Sequence, residues 1–189
     1  MIDKMNDVVE YWFGTTEDGS HVAPQAFWFK STPELDEEIR SKFLALHDEA
    51  LAGTFDDMIE TSNDYLAILI LFDQLPRNMF RNTPRAFATD DNARIWARKA
   101  IENDIDTSQS SPHRQSFFYL PLEHSEELSD QNESVQLFKN LGYDNYTRYA
   151  IAHHDVITSF GRFPHRNKIL GRKPTAEETI YLNKPGAGF

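Results

Sequence analysis

Cysteine is absent from the sequence, which excludes disulfides, cysteine-ligated zinc and thiolate catalysis. Long apolar runs are absent too. The longest uninterrupted one, residues 65–72, falls far short of the roughly 20 residues a membrane helix needs, and no basic segment followed by an apolar stretch opens the chain. The expected compartment is the cytoplasm, with no membrane partner. Valine is scarce and period-two alternation is rare, so strands find little support. Positive charge is also in short supply: 19 Lys and Arg face 30 Asp and Glu, a formal net charge of -11. That balance opposes nucleic-acid binding, which needs a surplus of cations facing phosphate. Residues 1–60 carry 14 acids against 4 bases and the remainder 16 against 15, so the acidity is largely N-terminal.

What is present suits one packed globule of 189 residues, with 14 Phe, 7 Tyr and 3 Trp available to fill a core. Helical spacing dominates. Ile39, Phe43, Leu46 and Ala50 fall on one face of a helix, and the whole pattern predicts helices over 3–13, 33–52, 62–75, 85–103, 112–123, 129–141, 144–160 and 175–183. Local signals agree: Thr32 before Pro33 suits an N-cap and first helical position, Gly53 and Gly161 suit left-handed terminators, and Thr175 to Glu178 spells a capping box. Residues 14–24 and 104–112 read as loops. The expected fold is all-α, a single domain over 1–189 in which helices pack on helices.

Three groups of residues carry potential chemistry. Asp73, Arg77 and Arg81 follow one another at i+4 steps, with Asn78 beside them and Pro76 predicting a kink or a new turn. The segment Gly161-Arg162-Phe163-Pro164-His165-Arg166-Asn167, with Lys168 and Arg172-Lys173, contains no acid between Asp155 and Glu177, and planar guanidinium donors suit a carboxylate or phosphate. Glu123-His124-Ser125-Glu126 and His153-His154-Asp155 place imidazoles beside carboxylates, the pairing that acid–base catalysis uses. No serine elbow, HExxH pair, Walker loop or dinucleotide glycine pattern accompanies them. His153 reads as a buried, hydrogen-bonded core histidine. No cofactor or metal is assigned, because His153 and His154 point about 100° apart on a helix and a site would have to draw Glu123, His124 or Asp155 from elsewhere.

Three readings follow. In the first, Arg77, Asn78, Arg81, Arg162, Arg166 and Asn167 bind an anionic small molecule or peptide carboxylate, with Trp12, Trp28 and Phe163 as apolar walls. In the second, His124 or His165, oriented by Glu123 or Asp73, is the general acid or base of a hydrolase or phosphoryl-transfer enzyme. In the third, the same groups form an internal ion-pair network with Asp73 or Glu123 in a structural or adaptor protein. Exposed apolar patches would make a homodimer unsurprising.

Trp12-Phe13, Trp28-Phe29, Asp73-Gln74-Leu75-Pro76-Arg77-Asn78, Leu122-Glu123-His124-Ser125-Glu126 and Phe160-Gly161-Arg162-Phe163-Pro164-His165-Arg166-Asn167 resemble the recurring stretches of the bacterial family known as domain of unknown function 924. The similarity covers nearly the whole chain. It implies a tetratricopeptide-like fold of stacked antiparallel helix pairs and supplies no reaction.

Overall fold

The computed structural model describes residues 2–14, 24–28, 30–109 and 111–188. Most of the loop expected over 14–24, and Phe29 of the second Trp-Phe pair, lie outside them. The described residues are helical with no strand, as the lack of period-two alternation predicts. The principal helices are α1 (Ile2–Phe13), α2 (Pro33–Leu51), α3 (Ser62–Leu69), α4 (Leu75–Met79), α5 (Asp90–Glu102), α6 (Pro112–Glu123), α7 (Leu128–Leu141), α8 (Asp144–Phe160) and α9 (Ala176–Leu182). They group into two compact units, one of residues Met1–Arg81 and Arg85–Pro121, the other of Asn82–Pro84 and Leu122–Phe189.

In the first unit α2 packs on α4, and α3 packs on α1 and α5. The Thr32 side chain accepts from the Leu35 N–H and Pro33 opens α2, while Ile39, Phe43, Leu46 and Ala50 are all buried. A second capping box, in which Thr61 and Asp64 serve each other's backbone N–H, starts α3. At the far end of α3, where a kink or a new turn is expected, the helix changes its winding. Residues Ile70–Gln74 make a π turn, and the helix then continues through Pro76 into α4. Pro76 has no N–H to give the Phe72 carbonyl, which lies one turn back. That carbonyl accepts instead from the buried Thr89 hydroxyl, at 2.7 Å. Thr89 also marks where the helix expected over 85–103 divides, into a 3-10 turn at Pro84–Phe87 and α5.

Aromatic rings form the core around the N-terminal helix. Phe117 meets Phe13, Trp28 and Trp12 edge-on, at centroid distances of 5.1, 4.9 and 6.0 Å, the geometry ring quadrupoles favour. Trp28 Nε1 donates to the Trp12 carbonyl at 2.7 Å.

In the second unit α7 and α8 pack as a pair joined by Gly142, which ends α7 with φ of 76°, and Tyr143. Only two residues separate the helices, so they run antiparallel. Gly161 ends α8 in the left-handed conformation, φ 66°. This turns the chain so that Phe163 enters a cluster with Val156 and Ile157, against which Phe160 and Tyr181 pack. The capping box from Thr175 to Glu178 is formed.

Candidate functional site

The expected site residues fall into both units. In the first, Asp73 lies in the π turn, 1% exposed, and accepts from the Gln74 amide. Arg77 reaches Asp90 at 2.8 Å and Asp73 at 3.8 Å, donates to the Ala86 carbonyl and covers the Phe87 ring. Its guanidinium therefore joins α4 to the chain around the start of α5. Arg81 does not continue the i+4 ladder. It grips Asp36 of α2 with Nε at 2.5 Å and Nη2 at 3.0 Å, and Asn78 Nδ2 donates to the same carboxylate at 2.8 Å. Burial pushes the Asp36 carboxyl up, but hydrogen bonds from Arg81, Ser31 and Asn78 outweigh it, so the group lies below its ordinary value.

The second unit repeats this device. Arg162 holds Glu178 through Nε at 2.6 Å and Nη2 at 2.9 Å, and Asn167 Nδ2 adds a bond at 3.1 Å. One carboxylate held by an arginine fork and an asparagine amide thus occurs in each unit, the arginine and asparagine lying close in sequence to Pro76 in the first and Pro164 in the second. Arg172 forks onto Glu126 at 2.7 and 3.0 Å and donates to the Phe163 carbonyl at 2.9 Å, while the Phe163 N–H donates to Glu126 at 2.8 Å. Two arginines of the basic segment, Arg162 and Arg172, are thus paired with Glu178 and Glu126.

Glu123, His124, His165 and Arg166 come together elsewhere in the second unit, with His153 among them. Glu123 is the last residue of α6 and 4% exposed. Its Oε1 lies 3.2 Å from His153 Nδ1, which also lies 2.9 Å from the Tyr149 carbonyl. His153 is the buried, hydrogen-bonded histidine that its position on α8 predicts, although Tyr149 itself is 47% exposed and does not share the buried face. The His124 ring is 6.1 Å from that of His153. One ligating atom from each of Glu123, His124 and His153 lies within 4.8 Å of the others. Beside them the wholly buried Phe163 ring meets His153 edge-on at 5.6 Å, His165 at 5.6 Å and the Arg166 guanidinium at 4.5 Å. Burial, followed by the charges of His124, Arg166 and His165, drives the His153 pKa down to about 3.

The turn that carries Glu123 and His124 is held by one buried amide. Gln131 Nε2 of α7 donates to the carbonyls of Glu123 at 2.6 Å, Ser125 at 2.7 Å and Leu122 at 3.4 Å. Arg166 Nη2 donates to the His124 carbonyl at 2.9 Å. Within Leu122-Glu123-His124-Ser125-Glu126, Ser125 bonds Asp130 at 2.6 Å and Glu126 serves Arg172, leaving Glu123 and His124 as the pair directed toward His153. His154 stays apart, meeting Asn132 at 3.0 Å, and Asp155 is exposed. Gly188, with φ of 86°, passes so close to His165 that a Cβ there would lie 3.0 Å from the His165 Cβ, so the C-terminal segment packs on that imidazole.

These features define an all-helical protein with a buried carboxylate–imidazole cluster. Residues 8–186 match the family described as "Bacterial protein of unknown function (DUF924)", and the chain belongs to that family. It is similar to a solved structure titled as a protein of unknown function, ATU0120 from Agrobacterium tumefaciens, with 35% identity, a TM-score of 0.86 and coverage of 96% of this chain and 98% of the other. No curated protein matches. No described helix is long and apolar enough to cross a membrane.

Proposed function

We propose that the protein binds an anionic small molecule or peptide carboxylate at the cluster around Phe163 in the second unit. Arg166 supplies the cationic donor and His165 an imidazole beside it, and Glu123, His124 and His153 form the polar wall. One observation carries this reading: two imidazoles and a guanidinium crowd a single buried ring, with a third imidazole and a buried carboxylate alongside. Collecting so many ionisable groups in low dielectric costs folding stability, and such arrangements are concentrated at functional sites. In a chain of net charge -11, the complement to this local accumulation of nitrogen donors is a negatively charged guest. The reading leaves Arg77, Arg81, Arg162, Asn78 and Asn167 to internal pairing, since each contributes to a contact that fixes its own unit.

The test is a thermal-shift titration of metal-free protein with orthophosphate and small di- and tricarboxylates. At a hundred times its Kd, a ligand bound only by the native state stabilises by about 2.7 kcal/mol. Arg166→Gln should remove the shift while leaving the far-ultraviolet circular dichroism intact. An equal shift in wild type and variant would reject the assignment.

The 3.2 Å contact between Glu123 and His153 favours a second reading, in which this centre performs acid–base chemistry on the bound anion. A carboxylate beside an imidazole orients the ring and fixes its tautomer. In this reading His124 or His165 is the general acid or base of a hydrolase or phosphoryl-transfer enzyme, Glu123 is its partner, and Arg166 stabilises developing negative charge. Turnover in a hydrolase and phosphatase screen should disappear in His124→Ala or in His165→Ala. Turnover surviving in both would exclude these roles.

A further inference from the structure

The geometry points to a divalent transition-metal site made by Glu123, His124 and His153. This inference rests on the reading of the same cluster as a binding centre and adds to it the class of ion that would occupy it.

The donor set is two imidazoles and one carboxylate. That set suits zinc-like ions and disfavours magnesium and calcium, which take oxygen ligands. Three protein ligands also describe an open site, in which the remaining position is left for water or an exogenous group. The separations are compatible. Three atoms at the corners of a triangle of side 4.8 Å lie about 2.8 Å from its centre, against zinc bonds of about 2.0–2.1 Å. Each side chain would need to close by less than about 1 Å, within the reach of small torsional adjustments.

The surroundings are those that ligating side chains need. His153 Nδ1 lies 2.9 Å from the Tyr149 carbonyl and 3.2 Å from Glu123 Oε1; in the metal-bound form the Nδ1 proton goes to the carbonyl and Glu123 turns from Nδ1 toward the ion on Nε2, a ligating histidine being commonly fixed by such a carbonyl on its other nitrogen. Glu123 and His124 are adjacent in sequence, and the backbone between Leu122 and Ser125 is clamped by Gln131 and Arg166. The backbone that carries two of the ligands is therefore set before any ion arrives, which lowers the ordering cost of binding. An M²⁺ ion on a single carboxylate retains net positive charge, and together with Arg166 would draw an anionic oxygen into the open position. The metal site and the proposed anion site then become one centre.

The experiment uses protein treated with EDTA and then freed of it, titrated with cobalt(II) chloride and no added anion. Cobalt reports its ligand field directly, so d–d absorption bands of four- or five-coordinate intensity, saturating at one equivalent, are expected. Zinc chloride should abolish the bands and magnesium chloride should not. His124→Ala should weaken cobalt binding by more than about 100-fold, a loss larger than that for an outer-shell partner, and His154→Ala should leave it unchanged. Glu123→Gln gives a second route, conserving shape while removing the anionic ligand. Absence of the bands, or bands that persist in His124→Ala and Glu123→Gln, would overturn the assignment. The anion titration of metal-free protein is read separately: an anion response without cobalt binding removes the metal and keeps the anion reading, and cobalt binding without an anion response does the reverse.

Discussion

Glu178→Gln tests how the basic segment is held. The Glu178 carboxylate accepts from Arg162 at 2.6 and 2.9 Å, from Asn167 at 3.1 Å and from the Thr175 N–H at 2.7 Å. Arg162, foremost, drives its pKa from 4.5 to about 2. A displacement of that size corresponds to roughly 3 kcal/mol of preference for the charged form. The Arg162 side chain is 27% exposed, and screening brings the expected net contribution to about 2 kcal/mol. The sign follows from linkage. The unfolded carboxyl binds its proton near 4.5 and the folded one near 2, so the stabilisation is complete above about 4.5 and is lost as pH falls toward 2. Glutamine keeps the shape and one acceptor but lacks the charge. Chemical denaturation at pH 7 should therefore show a loss of about 2 kcal/mol, or about 4–8 °C in Tm. The gap between wild type and variant should narrow steadily from pH 4.5 to pH 2. A loss under about 0.5 kcal/mol at pH 7, or a gap that does not change with pH, would refute the reasoning.

Two further substitutions address the other supporting contacts. Thr89→Val is nearly isosteric and strips the Phe72 carbonyl of the hydroxyl that substitutes for the missing Pro76 N–H; urea denaturation should show a loss of about 1–3 kcal/mol, and a neutral result would mean that the π turn satisfies this carbonyl in another way. Gln131→Leu leaves the Leu122, Glu123 and Ser125 carbonyls without their shared donor. It should cost about 2–4 kcal/mol and weaken cobalt binding by about 10–100-fold without touching a ligand, whereas unchanged cobalt affinity would show that the turn is fixed by other contacts.

Local signals in the sequence located most helices because they depend on neighbours in the chain. Thr32, Pro33, Gly53, Gly161, Thr175 and Glu178 act within one turn of their own positions, and α2 begins and ends, α8 ends and α9 begins close to where those residues place them. The π turn was not legible. A 3.6-residue pattern runs smoothly from Leu66 to Ile70, and the Thr89 hydroxyl that relieves Pro76 comes from beyond the intervening 3-10 turn. Residues 85–103 divide at Thr89, whose side chain goes to the Phe72 carbonyl and offers no cap to α5. The capping box at Thr61 was open to detection, with Asp64 in the position usually held by Glu or Gln.

The candidate centre was legible as residue types and not as a constellation. Glu123, His124, His165 and Arg166 stand out by chemistry, and His153 by its place on an apolar helix face. Their convergence depends on the left-handed Gly161 returning the chain to α8 and on Gln131 holding the end of α6, neither of which spacing reveals. Ion-pair partners were the least readable feature. Arg162 and Arg172 find Glu178 and Glu126, 16 and 46 residues away, and Arg81 leaves the i+4 ladder for Asp36 because α2 brings a half-buried carboxylate to it.

The most direct examination of the second unit's imidazoles is long-range nitrogen–proton NMR on protein labelled with ¹⁵N-histidine, recorded as zinc chloride and then orthophosphate are added. The ring nitrogens of His124 and His153 should respond to zinc at one equivalent and His165 to phosphate, while those of His47, His113 and His154 stay where they are. Resonances of His124, His153 and His165 that remain in place throughout, or that move no more than those of His154, would contradict a binding centre at this cluster.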